Sequence, residues 1–175
     1  MLQRTRADQV VPIFTSFTSR FPTIRSLSLE EEELDTMLSP LGLNWRIKKL
    51  KELLSEILKL KTVPKDYEEL LALPGVGDYA ASALLSFHLD TRRPLIDSNT
   101  VRLYGRFFGF STDTETRRKR WFIDFVEKIT PVQCFADYNY AVLDFSRSIC
   151  KKGPLCTECI ININCNYYNR LHNES

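Results

Sequence analysis

The chain has 175 residues, 43% hydrophobic and 26% charged, with 24 basic and 22 acidic residues for a net charge of +2. That length and balance describe a globular protein with one good core, or one lobe with a small satellite, and exclude a disordered or fibrous chain. No apolar run approaches the roughly 20 residues of a membrane span, and Met1 to Arg6 contains no apolar signal core, so the sequence predicts an intracellular protein without a membrane partner.

In chain order the pattern is helical throughout. Val10, Phe14 and Phe17 are spaced as one buried stripe, and Ile47, Leu50, Leu54, Ile57 and Leu58 make a clearer one with lysines on the other side. Pro64 stops that helix, and Asp66 with Glu69 three residues on reads as a capping box opening the next. A turn at Leu73 to Gly77 leads to a helix over Ala80 to Phe87, rich in small residues. Asp97 reads as the N-cap of a helix running to Phe108 and closed by Gly109. Trp121, Phe125 and Ile129 mark a further helix ending near Pro131, and Tyr140 to Ile149 a last long one. No segment alternates as a strand does. The expectation is an all-α protein.

Charge is unevenly spread. Arg46, Lys48, Lys49, Lys51, Lys59 and Lys61 crowd one stretch and Arg102, Arg106, Arg117, Arg118, Lys119 and Arg120 another, while acid collects at Glu30 to Glu33 with Asp35. Such separation suits a face that meets a phosphate backbone, although solvated helix faces would look the same.

Three groups of residues carry chemistry. In Leu73-Pro74-Gly75-Val76-Gly77, two glycines after a proline build a tight turn, and the N–H groups from Gly77 onward sit at a helix N-terminus that favours an anion such as a DNA phosphate. A plain helix corner would need the same residues. Asp97 is either a cap alone or a fixed carboxylate able to stabilise a developing sugar cation. Cys150, Cys156, Cys159 and Cys165 form Cys-x5-Cys-x2-Cys-x5-Cys, tight clustering that favours metal over disulfides in an intracellular protein. The spacing alone leaves zinc and an iron–sulfur cluster both open. Cys134 stands apart and reads as a small buried hydrophobe.

Taken together these stretches resemble the endonuclease III superfamily of helix-hairpin-helix DNA glycosylases. The likeness lies in Leu73-Pro74-Gly75-Val76-Gly77 with its small-residue helix, in Ile96-Asp97-Ser98-Asn99-Thr100-Val101-Arg102 at the family's distance downstream, and in Leu143-Asp144-Phe145-Ser146 leading to the cysteines. It implies a two-lobed all-α fold: residues 1–110 with the hairpin at about 66–88, and residues 111–175 with the cluster. It implies a monomer acting on double-stranded DNA that contains a mismatched or damaged base. Asp97 would be the catalytic aspartate and Tyr79 would face it across the base pocket. Gly75, Gly77 and Asn99 would contact DNA, and so would Lys151 and Lys152 on the cluster loop. Gln3 would fill the vacated base position and Leu43, in Leu41-Gly42-Leu43-Asn44, would wedge the stack. The cysteines would hold a 4Fe-4S cluster in preference to zinc, with a first gap of five residues where the family usually has six.

Tyr79 divides the superfamily. Endonuclease III has a lysine nucleophile there and adenine glycosylases of the MutY type usually a serine. The tyrosine resembles the archaeal-type thymine–DNA mismatch glycosylases, which implies a monofunctional enzyme releasing thymine or uracil opposite guanine. The alternatives are an adenine glycosylase acting on A·G or A·8-oxoguanine, favoured by Met1-Leu2-Gln3-Arg4-Thr5, and a non-catalytic DNA-binding remnant. Relatives carry several dozen residues before the position of Met1, and Leu2 to Thr5 read as helix interior, so an N-terminal segment is expected to be missing.

Overall fold

A computed structural model describes residues 5, 7–28, 31–42 and 44–173. It divides into two compact units, Met1–Gly77 and Asp78–Ser175. Among the described residues there are helices and turns but no strand, and no helix is long and apolar enough to cross a membrane.

In the first unit, α1 (Ala7–Arg20), α2 (Ile24–Ser28), α3 (Glu31–Leu38), α4 (Asn44–Leu60) and α5 (Tyr67–Leu71) follow one another, with a 3-10 turn at Ser39–Leu41. Val10, Phe21, Leu34, Leu38, Leu41 and Ile47 form its core, and Ile13, Phe17, Met37 and Leu50 pack against them. Each such aliphatic side chain contributes roughly 2 kcal/mol when fully buried. The α1 stripe therefore runs through Val10, Ile13, Phe17 and Phe21; Phe14, expected on it, falls at its margin and is 53% exposed. On α4 the expected stripe holds in part: Ile47 and Leu54 are buried and Leu50 and Ile57 half-buried, while Leu58, near the helix end, is exposed. Three of its four lysines are tied to acids: Lys51 to Asp35, Lys49 to Glu52 and Lys59 to Glu56. The helix ends at Leu60, where Lys61 takes a left-handed φ of 61°, before Pro64 can interrupt it. Asp66 caps α5, accepting from the N–H groups of Glu68 at 2.9 Å and Glu69 at 3.3 Å.

The second unit contains α6 (Asp78–His88), α7 (Ser98–Phe108), α8 (Arg120–Ile129), α9 (Phe135–Ser148) and α10 (Asn166–Asn173). Short 3-10 turns at Thr116–Arg118, Cys156–Glu158 and Asn162–Asn164 join them. The core is Val101, Tyr104, Phe122 and Val126, flanked by Ile96, Phe125, Ile129 and Val142. On α8 the stripe facing the core is Phe122 and Val126, both buried, with Ile129 half-buried beside them. Trp121, expected in it, is 45% exposed and meets the edge of Phe110. Burial and the neighbouring Tyr138 hydroxyl, 3.1 Å away, hold the Tyr104 phenol far above its ordinary range. Arg92 closes the C-terminus of α8, donating to the carbonyls of Glu127, Thr130 and Pro131, where a cation complements the helix dipole.

A division at 110/111 would fall inside this second unit. Helix α7, on its N-terminal side, shares Val101 and Tyr104 with Phe122 and Val126 of α8. Cys134 is exposed, not buried: it takes a left-handed φ of 54° in the turn that opens α9 and points away from the core.

Candidate active site and cluster loop

The hairpin turn closes with the Val76 N–H donating to the Leu73 carbonyl at 3.2 Å, and buried Leu73 anchors it. Its two glycines differ. Gly75 has φ +77° and an added Cβ would lie 3.1 Å from the Lys49 Cβ, so the fold itself requires glycine there. Gly77 has no such constraint, and nothing lies within 4 Å of the position a Cβ would take. The backbone at the start of α6 is thus open to an external group.

Twenty residues on, the chain turns into α7 at Asp97, whose extended backbone (φ −128°, ψ −178°) makes it the N-cap. Its Oδ1 accepts from the N–H groups of Asn99 and Thr100, both at 2.8 Å, and its Oδ2 accepts from Asn99 Nδ2 at 2.9 Å. Thr100 Oγ1 returns the favour by accepting the Asp97 N–H at 2.9 Å, completing a reciprocal capping box. Three donors therefore pin one carboxylate.

Asn99 is engaged at both ends of its amide. Its Oδ1 accepts from Arg102 Nη1 at 3.1 Å, and Arg102 in turn donates to the Cys150 carbonyl at 3.0 Å and the Ser146 carbonyl at 2.8 Å. Burial, with Arg106 nearby, draws the Arg102 pKa down, though a guanidinium stays charged at neutral pH. A continuous polar chain thus joins Asp97 to the first cysteine of the loop.

Tyr79, in the first turn of α6, is 38% exposed. Burial and the Asp97 carboxylate raise its phenol pKa, against the opposing charge and hydrogen bond of Arg147. Tyr79 is consequently a neutral phenol at physiological pH. A guanidinium can only donate, so Arg147 can approach the phenol oxygen only as a donor. Tyr79, Asp97 and Arg147 are brought together within one unit.

Cys150, Cys156, Cys159 and Cys165 are free thiols lining one cavity, with Phe107 and Phe145 among its apolar walls. Burial raises the Cys156 thiol pKa, and the other three cysteines raise it further. Among the described residues, no three His, Cys, Asp or Glu side chains gather as the ligands of one metal ion would. Arg106 organises the loop: it donates to the carbonyls of Lys151 at 2.6 Å and Lys152 at 2.9 Å, lies 3.6 Å from Cys150 Sγ, and stacks over the Tyr167 ring. The Lys151 and Lys152 side chains are left exposed.

Gln3 and Leu43 lie outside the described residues. Arg102 and Arg106 read as members of a basic, phosphate-facing stretch, yet both turn inward to carbonyls of the cluster loop; their spacing of one helical turn was the available signal. Arg147, inside an otherwise ordinary helix pattern, gave none.

A helix-hairpin-helix motif family matches residues 62–87. The chain is 36% identical to a thymine-DNA glycosylase of Aeropyrum pernix, over 97% of this chain and 79% of that protein. It is 33% identical to an adenine DNA glycosylase of Buchnera aphidicola subsp. Schizaphis graminum, over 96% of this chain but only 50% of that longer protein. The solved structure of a thermostable thymine-DNA glycosylase superposes with a TM-score of 0.87 at 28% identity, covering 97% of this chain and 80% of the other. With that identity over most of both chains and that superposition, the chain belongs to the helix-hairpin-helix DNA glycosylase superfamily.

Proposed function

We propose that this DNA glycosylase hydrolyses the N-glycosidic bond of thymine or uracil paired with guanine and leaves the DNA strand intact. The observation that carries the reading is Tyr79: a neutral phenol beside Asp97, at the position where endonuclease III presents a lysine amine. The thymine-DNA glycosylase relative supports the same base class. The base is extruded into the site at a cost of a few kcal/mol, which Gln3 and Leu43 help to offset by filling the duplex. Asp97 stabilises the sugar cation and orients water. The C1′–N bond breaks with its electron pair going to the base, water adds at C1′, and its proton leaves through Asp97. No amine attacks the sugar, so no strand break follows.

DNA would be held by the open α6 terminus at Gly75 and Gly77, by Lys151 and Lys152, and at the α7 terminus by Asn99, all sequence-independent contacts made by a monomer on duplex DNA inside the cell. Cys150, Cys156, Cys159 and Cys165 are proposed to hold a 4Fe-4S cluster: four thiols that line one cavity are the donor set such a group takes. The cluster would supply structural cross-linking of the loop. Iron and acid-labile sulfide in equal amounts are expected in the purified protein, and zinc in their place would refute this assignment.

Gly75 and Gly77 separate fold from binding. Gly75→Ala is expected to cost about 1 kcal/mol of stability, from the left-handed φ. Gly77→Ala should leave the melting midpoint unchanged or slightly raised while weakening duplex affinity about tenfold. Equal affinity for Gly77→Ala and wild type in a fluorescence-anisotropy titration would remove the phosphate from this site.

The deciding experiment for the reaction is base release from duplexes holding T·G, U·G, A·G or A·8-oxoguanine, with and without alkali. Thymine or uracil release with breaks only after alkali is the expected outcome. The adenine reading, kept open by the Buchnera relative, predicts adenine release alone. Folded protein that binds DNA but releases nothing would make the chain a non-catalytic remnant.

A further inference from the structure

Helices α6 and α9 are in contact. Near one end the Phe87 and Tyr140 rings stack at 3.9 Å, and beside them Asn139 Nδ2 donates to Ser86 Oγ at 2.8 Å. Moving back along α6 from Phe87 to Tyr79 covers about 12 Å, and moving forward along α9 from Tyr140 to Arg147 about 10 Å. Tyr79 and Arg147, which neighbour each other, lie at matching distances from that stack, as two helices running antiparallel would place them. Tyr140, Asp144 and Arg147 recur at helical spacing on one exposed stripe, whereas Leu143 and Ser146 are buried and carry the packing of α9. The core does not call for a guanidinium at position 147.

The chemistry of the site does. Cleavage separates charge in two places: the sugar becomes cationic and the departing pyrimidine anionic, its electron pair spread over N1 and the carbonyl oxygens. Asp97 serves the first and opposes the second. Tyr79 is neutral and can offer one proton in a hydrogen bond. A permanent cation beside Tyr79 completes the pattern, because a guanidinium donates to carbonyl oxygens and its charge is worth most where negative charge grows in the transition state.

We propose that Arg147 is a further substrate-contacting residue, donating to a carbonyl oxygen of the extruded pyrimidine and stabilising the negative charge left on the base. The inference rests on the pyrimidine reading above. In the step it assists, the C1′–N1 bond breaks heterolytically, the pair goes to the pyrimidine, water supplies the new C1′–O bond, and the base anion is protonated from solvent after departure. Arg147 gives up no proton.

The test is single-turnover release of uracil, thymine and 5-fluorouracil, each opposite guanine, by wild type, Arg147→Ala and Arg147→Lys. Fluorine already stabilises the departing anion, so it relieves the need for Arg147. Arg147→Ala is expected to slow uracil and thymine about 100-fold and 5-fluorouracil less than tenfold, with Arg147→Lys recovering part of the loss. Circular-dichroism melts should match wild type, since Arg147 is exposed. The same fold-loss on all three bases, or no loss on any, overturns the proposal. Wild-type protein that releases adenine and neither pyrimidine would instead refute the parent reading, and this shows before any variant is compared.

Discussion

Asp97→Asn is expected to keep its fold and lose base release by at least about 100-fold, the scale of removing one fixed charge-stabilising group from an active site. Asparagine caps a helix as well as aspartate does, so the bonds from the Asn99 and Thr100 N–H groups survive and α7 should still start at Ser98. The charge does not survive. In addition, the new amide presents a donor toward Asn99 Nδ2, where Asp97 Oδ2 now accepts at 2.9 Å, so the end facing the reaction is disturbed while the capping end is not. Single-turnover release paired with a thermal melt separates the two roles. Activity within tenfold of wild type at an unchanged melting midpoint would reduce Asp97 to a cap.

Tyr79→Lys should produce the opposite kind of change, an activity gained. The lysine amine would stand beside the Asp97 carboxylate, at the point where endonuclease III attacks the sugar. Arg147 and partial burial would lower its pKa toward the neutral, nucleophilic form, against the pull of Asp97. Attack at C1′ expels the base, ring opening gives an imine, and strand breaks then appear before alkali. Borohydride reduces the imine to a stable protein–DNA adduct visible on a denaturing gel. Wild type should give no such band. If the variant also gives none while still releasing base, position 79 does not face C1′.

Much of this was legible in the residues because the signals were local. Asp97 and Gly109 bracket α7 as a cap and a left-handed stop, and both mark the helix ends observed. Asp66 marks the start of α5 in the same way. Faces of helices were less legible: Phe14 and Trp121 sit one position off the stripes that packing selects, a choice made by partners distant in sequence. Cys134 misled for a related reason, since an exposed left-handed turn carries no composition signal. The inward use of Arg102 and Arg106 was hidden because a guanidinium bound to loop carbonyls looks, in sequence, like one awaiting phosphate. The relation of Arg147 to Tyr79 depends on helix register across more than sixty intervening residues, which no short motif encodes.

The fate of those cations bears on how the protein would find its target. Lys49, Lys51 and Lys59 are held by acids, as are Arg118, Lys119 and Arg120, while Arg102 and Arg106 are turned to backbone carbonyls. Those ion pairs are solvent-exposed and weak, so on undamaged duplex they can exchange a carboxylate for a phosphate. Non-specific residence on DNA would shorten as ionic strength rises, and at high salt the protein would sample many sites by hopping. Dwell time would then come from the extruded base itself, which makes recognition of the lesion, and not general attraction to DNA, the step that sets where the chain stops.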